Sequence, residues 1–173
     1  MNRNTLILLV LFLLTFNNVN ANNNIVFLDM QKILTISKPG ANLFKQLKVI
    51  NGNDIASFKK DEIKLLEREK KILAKKNIIA NEIFNQEFNK LQSDVEIYNK
   101  EKEVKLKNFN KLKNDNLNKL IEQINSILLK YSDENSIDLI LSKKNIIIGR
   151  SNIDITNKII ETVNKEIKNF NIK

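Results

Sequence analysis

The chain contains no cysteine and no histidine. The first absence rules out disulfides and a cysteine-borne lipid anchor. Together the two remove the usual zinc ligands and the commonest base and nucleophile pair, so neither metal-centred nor triad chemistry is expected and no cofactor is implied. Carboxylates remain, but Asp29, Asp138 and Asp154 fall at the ends of expected strands and helices, where capping is their ordinary work. No glycine-rich loop is present to cradle a phosphate. These absences point away from an enzyme.

Proline and glycine are almost as scarce. One proline and three glycines, at Pro39, Gly40, Gly52 and Gly149, are all that could interrupt regular backbone. Long apolar runs are also missing. The longest, Leu6 to Phe16, is far short of the roughly 20 residues that cross a bilayer, but it follows Arg3 and precedes Val19-Asn20-Ala21. That arrangement predicts a signal peptide over 1–21, cut after Ala21, and export.

Clustered charge is absent too. The net charge is +9, and after Arg3 it divides into +3 over 22–52, +3 over 53–128 and +2 over 129–173. A diffuse excess with few aromatics does not describe a specific nucleic-acid surface.

What is present is a long helical middle. Phe58, Leu65, Ile72 and Ile79 recur at steps of seven, with Leu66, Leu73 and Ala80 beside them. A second stripe runs through Phe84, Phe88, Leu91, Val95 and Tyr98, and a third through Leu117, Leu120, Ile124, Ile127 and Tyr131. Lys102 and Lys105 fall where the seam would continue between them. From Ile79 to Phe84 the first stripe jumps by about 140° at 100° per residue, which favours a chain reversal at 77–81. Asn77 could end one helix in the left-handed region and Asn81 could cap the next. An uninterrupted helix stays open on the pattern alone, because Leu66, Leu73 and Ala80 reach Phe84 in a legal step of four.

The flanks read as strands. IVFLDM at 25–30, IDLIL at 137–141 and III at 146–148 are short apolar, β-branched runs, and Lys143-Lys144 would join the last two as a hairpin. Asp29 can cap a short helix reaching toward Pro39, and Asp154 a last helix with Ile155, Ile159, Ile160, Val163 and Ile167 on one side. So few strands make a thin core, and each chain is expected to complete its sheet or core against copies of itself.

An exported chain that opens on IVFLDMQKIL, continues as a long charged helical excursion and closes on IDLILSKKNIIIGRSNIDIT resembles the Skp/OmpH family of periplasmic chaperones. The resemblance covers the whole mature chain and decides for a hairpin over a rod. It implies an α+β, mostly helical fold in which a small β body, completed by trimerisation, carries one long antiparallel helical hairpin per subunit. The body would comprise 22–40 and 132–173, and the arm 41–131, with Ile25, Phe27, Leu139, Leu141, Ile146 and Ile148 as candidate trimer core. The family implies an ATP-independent holdase that binds unfolded outer-membrane β-barrel proteins in a cavity between three arms. The Asn51-Gly52-Asn53 step departs from the family and questions the continuity of the first arm.

Candidate client contacts are Ile78, Ile79, Ile83, Phe84 and Phe88 at the reversal, and Lys100, Lys105, Lys107, Lys111 and Lys113 on the second arm. The apolar group is too large for one two-helix seam. The lysines supply a positive field for acidic clients or for anionic lipid or lipopolysaccharide headgroups. The rival role is a structural coiled-coil or adaptor protein of the cell envelope.

Overall fold

The computed structural model describes residues 24–172. The expected signal peptide at 1–21 lies outside the described residues. In chain order the elements are β1 (Ile25–Leu28), α1 (Met30–Ile36), α2 (Lys38–Ala74), α3 (Asn81–Glu134), β2 (Leu139–Ser142) and α4 (Thr156–Glu166). Single 3-10 turns at Lys143–Asn145 and Ser151–Ile153 lie between β2 and α4. A mostly helical chain with a small sheet and one antiparallel helical hairpin is thus the observed architecture.

Asp29 ends β1 and caps α1, its Oδ1 accepting the Lys32 backbone N–H at 2.9 Å. Met30 therefore belongs to the helix, not to the strand. Ser37 then serves two helices. Its extended backbone stops α1, its N–H donates to the Ile33 carbonyl at 3.1 Å, and its Oγ accepts the Gly40 N–H at the start of α2. Pro39 sits in that first turn, where its missing N–H costs nothing. Gly40 is required by proximity, because a Cβ there would lie 1.9 Å from the Leu34 carbonyl oxygen. The punctuation at 39–40 starts the arm; the helix begins at Lys38 rather than at Ala41.

The Asn51-Gly52-Asn53 step does not interrupt α2. One glycine costs a helix roughly 1 kcal/mol, which the packing of Leu47 and Phe58 on either side can offset. The reversal occupies 75–80, but by a different device from the asparagine caps. The only non-glycine residue of positive φ among those described is Ser136, so Asn77 is not left-handed. The chain leaves α2 through a right-handed turn, with Lys75 at φ −89° and ψ −7°, and enters α3 from an extended Ala80 with no side-chain cap. Asn81 is the first helical residue. A turn without a residue of positive φ needs no asparagine.

At its far end α3 closes in a Schellman arrangement. The Ile137 N–H reaches the Ser132 carbonyl at 2.9 Å, the Ser136 N–H reaches that of Asp133 at 3.4 Å, and Ser136 sits at φ 50°. The chain is thereby aimed at β1.

β1 and β2 are parallel, in register from Ile25 opposite Leu139 to Leu28 opposite Ser142. A parallel pair needs a crossover, and here the entire hairpin arm is the crossover. Asn24 and Asp138 close the start of the ladder: the Asp138 N–H donates to the Asn24 carbonyl at 3.0 Å and its Oδ2 accepts the Asn24 N–H at 2.7 Å. On its other edge β1 bridges Asp154, and the Ile155 N–H donates to the Phe27 carbonyl at 2.9 Å.

The expected hairpin of IDLILS with NIIIG does not form. After Ser142 the backbone turns at Lys143–Asn145, and Ile147 and Ile148 are left 99% and 91% exposed. Lys143-Lys144 offers no residue suited to the positive φ of a tight hairpin turn, whereas β1 offers a buried edge. Strand burial differs accordingly. Val26, Phe27 and Leu28 are all buried, while Leu139 and Leu141 are exposed on β2.

The core lies between the sheet and the bases of the helices rather than within the sheet. Ile33, Leu43, Leu120, Ile124, Ile159 and Val163 are fully enclosed, with Val26, Leu28, Leu47, Ile127, Ile155 and Phe170 around them. Each such side chain contributes about 1.5–3 kcal/mol. The apolar side foreseen for the last helix is the one buried, with Ile167 half-buried at its end. Beyond α4 the chain lies against α2, the Phe170 carbonyl accepting from the Asn42 and Gln46 side-chain amides at 2.9 and 3.0 Å.

Candidate functional site

The arm consists of 37 residues of α2 packed against the 54 of α3, about 55 and 80 Å long at 1.5 Å per residue. Phe58, Leu65, Ile72 and Ile79 do line the seam, together with Phe84, Phe88, Leu91 and Tyr98. Phe58 meets Tyr98 edge to face at 5.9 Å, and the Tyr98 hydroxyl donates to the Phe58 carbonyl at 3.4 Å.

Half of the seam is polar. Asp54, Asp61, Arg68 and Lys75 also recur at steps of seven, one helical turn from the apolar stripe, and face inward or to the seam's edge. Lys75 pairs with Glu87 at 3.2 Å, Arg68 with Asp94, and Asp54 with Lys105 at 3.3 Å. One step of seven down α2, from Lys75 to Arg68, is matched by one up α3, from Glu87 to Asp94, as antiparallel helices require. Asp61 breaks the series, pairing with Lys64 on its own helix. These layers escape a search for apolar stripes. The signal that could have found them is a charged series running parallel to the apolar one.

Lys102 and Lys105 therefore continue the seam by other means. Lys105 forms the Asp54 pair, and the Lys102 Nζ lies 5.6 Å from the centre of the Tyr98 ring. Of the other candidate lysines, Lys111 binds Asp115 at 2.6 Å on its own helix, while Lys100, Lys107 and Lys113 form no ion pair among the described residues. All are exposed.

Because polar residues take seam positions, apolar ones remain outside it. Leu66 and Leu73, expected beside the stripe, are 51% and 50% exposed. Ile63, Val95, Ile97, Val104 and Leu106 are exposed as well. At the reversal the apolar knot divides: Ile78 and Ile83 are exposed, whereas Ile79, Phe84 and Phe88 are half-buried, the two phenylalanines stacked at 5.9 Å.

The body presents a second candidate surface. The outer edge of β2 is unpaired among the described residues, and an open cavity of about 600 Å³ beside it is lined by Met30, Leu128, Leu129, Leu139 and Leu141. Of the candidate trimer-core residues, Phe27 is buried within the chain and Ile146 half-buried, while Ile25, Leu139, Leu141 and Ile148 are exposed.

Behind this edge lies a polar clamp. The Lys143 ammonium donates to Asp154 Oδ2 at 2.8 Å, Asp154 Oδ1 accepts the Thr156 N–H at 3.0 Å and the Thr156 hydroxyl, and that hydroxyl accepts the Asp29 N–H at 2.9 Å. Burial pushes the Asp154 pKa up, but the bonds from Lys143 and Thr156 outweigh it and leave the pKa below the ordinary 3.8. The hydrogen bond to Asp154, then its charge, raises the Lys143 pKa above 10.5. Asp154 thus helps to start α4, as its place in the sequence leads one to expect, although Ile155 is the formal cap.

The architecture is a long two-helix arm mounted on a small α/β body. The chain belongs to the outer membrane protein (OmpH-like) family, whose model matches residues 24–163. The crystal structure of a candidate outer membrane chaperone (OmpH-like) from Caulobacter crescentus superimposes with a TM-score of 0.79. It is 17% identical and the match covers 87% of this chain and 89% of that one, so the likeness is one of fold. No curated protein matches the chain.

Proposed function

We propose that the protein is a chaperone: an ATP-independent holdase of the periplasm that keeps unfolded outer-membrane β-barrel proteins from aggregating. The observation that carries this reading is the apolar surface left outside a closed seam, from Leu66 and Leu73 to Ile97 and Val104. A helical pair held together by its own layers has no structural need of those side chains. Scattered along a rod, they make many weak contacts and select no single structure in what they hold.

The same reading makes the body a trimerisation unit. The edge of β2, open among the described residues, and the exposed Ile147 and Ile148 are two different surfaces of one chain, and joining one copy's segment to the next copy's edge is a head-to-tail contact that a three-fold rotation would close into a ring. Three arms then bound a common cavity, and many contacts at high local concentration hold a client without energy input. The exposed lysines add long-range attraction for acidic clients and for anionic lipid or lipopolysaccharide headgroups, so capture slows as salt rises.

The test has two parts. Sedimentation of the mature chain is expected to give a trimer, and substoichiometric trimer is expected to suppress light scattering when a denatured outer-membrane barrel is diluted from urea. A monomer without suppression would end the reading; a trimer without suppression would favour a structural envelope protein.

A further inference from the structure

Two grooves run beside the arm's seam, and they differ in charge. One, of about 620 Å³, is lined by Phe58, Ile97 and Val104 together with charges of both signs, Lys100 and Lys105 and Asp61 and Glu101. The other, of about 640 Å³, has an apolar lining that includes Leu66, Phe88 and Val95. Its charged lining is Glu62, Glu69 and Glu96, without a lysine or arginine. The seam carboxylates of Asp54, Glu87 and Asp94 are all paired, whereas Glu62, Glu69 and Glu96 form no ion pair among the described residues. Lys100, the cation nearest to Glu96 in sequence on α3, lines the other groove, and Lys102 is held over the Tyr98 ring.

We infer that this second groove takes cationic apolar stretches of unfolded polypeptide. Apolar side chains of the bound segment lie against Leu66 and Val95, and its lysines or arginines reach Glu62, Glu69 and Glu96. Charge complementarity selects this occupant over an acidic or purely apolar one. The chain as a whole carries +9, so its overall field favours acidic segments, and a preference for cationic ones can come only from a local feature. The arm then binds both signs of segment at separate places, which suits a client whose sequence it does not read. This inference rests on the arm being the client-contact surface.

The test uses the full mature protein and two fluorescein-labelled unstructured peptides of leucine, serine and lysine, the second with glutamate in place of every lysine. The wild-type protein is expected to bind the lysine peptide about tenfold more tightly than the E62Q/E69Q/E96Q variant does, the sum of three exposed charge pairs. The changes in that variant lie on the surface and leave the seam untouched, and its affinity for the glutamate peptide is expected to hold or rise. L66S/V95S is expected to weaken the lysine peptide and to leave the glutamate peptide nearly unchanged. Equal affinity of the wild type and E62Q/E69Q/E96Q for the lysine peptide would overturn the groove assignment. Suppression of barrel aggregation, measured in parallel, separates the two ideas. If the triple variant suppresses scattering and also keeps the wild-type affinity for the lysine peptide, only the groove assignment falls; if the wild type fails to suppress, the chaperone reading falls.

Discussion

Asp154 is the residue on which the last part of the chain turns. Its carboxylate holds Lys143 on one side and Thr156 on the other, and Thr156 in turn holds Asp29 at the end of β1. Since its folded pKa lies below the ordinary value, its contribution is complete above that ordinary value and is lost as pH falls through the lowered one. For Lys143, whose folded pKa is raised, the contribution is complete below 10.5 and is lost as pH rises through the raised value. Asp154→Asn is therefore expected to lower stability at neutral pH, because its neutral amide keeps an oxygen for the Thr156 bonds but loses the charge that faces Lys143, and to converge with the wild type in strong acid. Urea midpoints measured from neutral pH down to pH about 2 would show it, and a constant difference would refute it. Glycines give a cleaner contrast. A Cβ at Gly52 meets nothing within 4 Å, so Gly52→Ala is expected to raise stability by about 0.5–1 kcal/mol, whereas Gly40→Ala, against the Leu34 carbonyl, is expected to destabilise and detach α1 from α2. Thermal melts of both variants would decide.

At the scale of elements, the arm is a zip of alternating chemistry. Arg68 with Asp94 and Asp54 with Lys105 fix which layer of α2 meets which layer of α3, as polar seam residues do at some cost in stability. Arg68→Leu with Asp94→Leu is expected to be neutral or stabilising and to slow amide exchange over 60–100, while Arg68→Ala alone leaves Asp94 without its partner and speeds it. If both variants exchange like the wild type, the layer does nothing for the zip. This alternation also explains what could be seen in the sequence. Phe58, Leu65 and Ile72 announced a helix and its inner face, because little besides a buried helical stripe spaces apolar residues by seven. Asp61 and Arg68, on the same spacing, look like any solvated charge until the partner helix is in place. The last strand was misplaced for a related reason. Sequence proximity favours pairing IDLIL with the nearby III, whereas the partner actually used, IVFL, lies 114 residues away in the Asn24 to Asp138 contact. Nothing local reports such a contact, and only the family resemblance required the two ends to meet.

For the whole molecule, what is unfinished matters as much as what is packed. The core around Ile33, Leu120 and Ile159 is complete within one chain, but β2 keeps an open edge among the described residues and Ile147 and Ile148 stand in solvent. On the proposed ring these are the two halves of one joint. Ile147→Asp with Ile148→Asp is expected to leave the helical content unchanged while dissociating the assembly, read by circular dichroism and sedimentation. An unchanged mass would place the joint elsewhere. Parallel pairing of the first and second strands has a further consequence, for the order of folding. A free chain of about 110 residues would make their meeting slow, because the closure penalty must be met before any contact rewards it. Helices that nucleate at the reversal and zip downward meet that penalty in small local steps, and so deliver Leu139 to Ile25 already in register. On this route the first strand to be made is among the last to find its place, and mutations that weaken the zip should delay burial of the body.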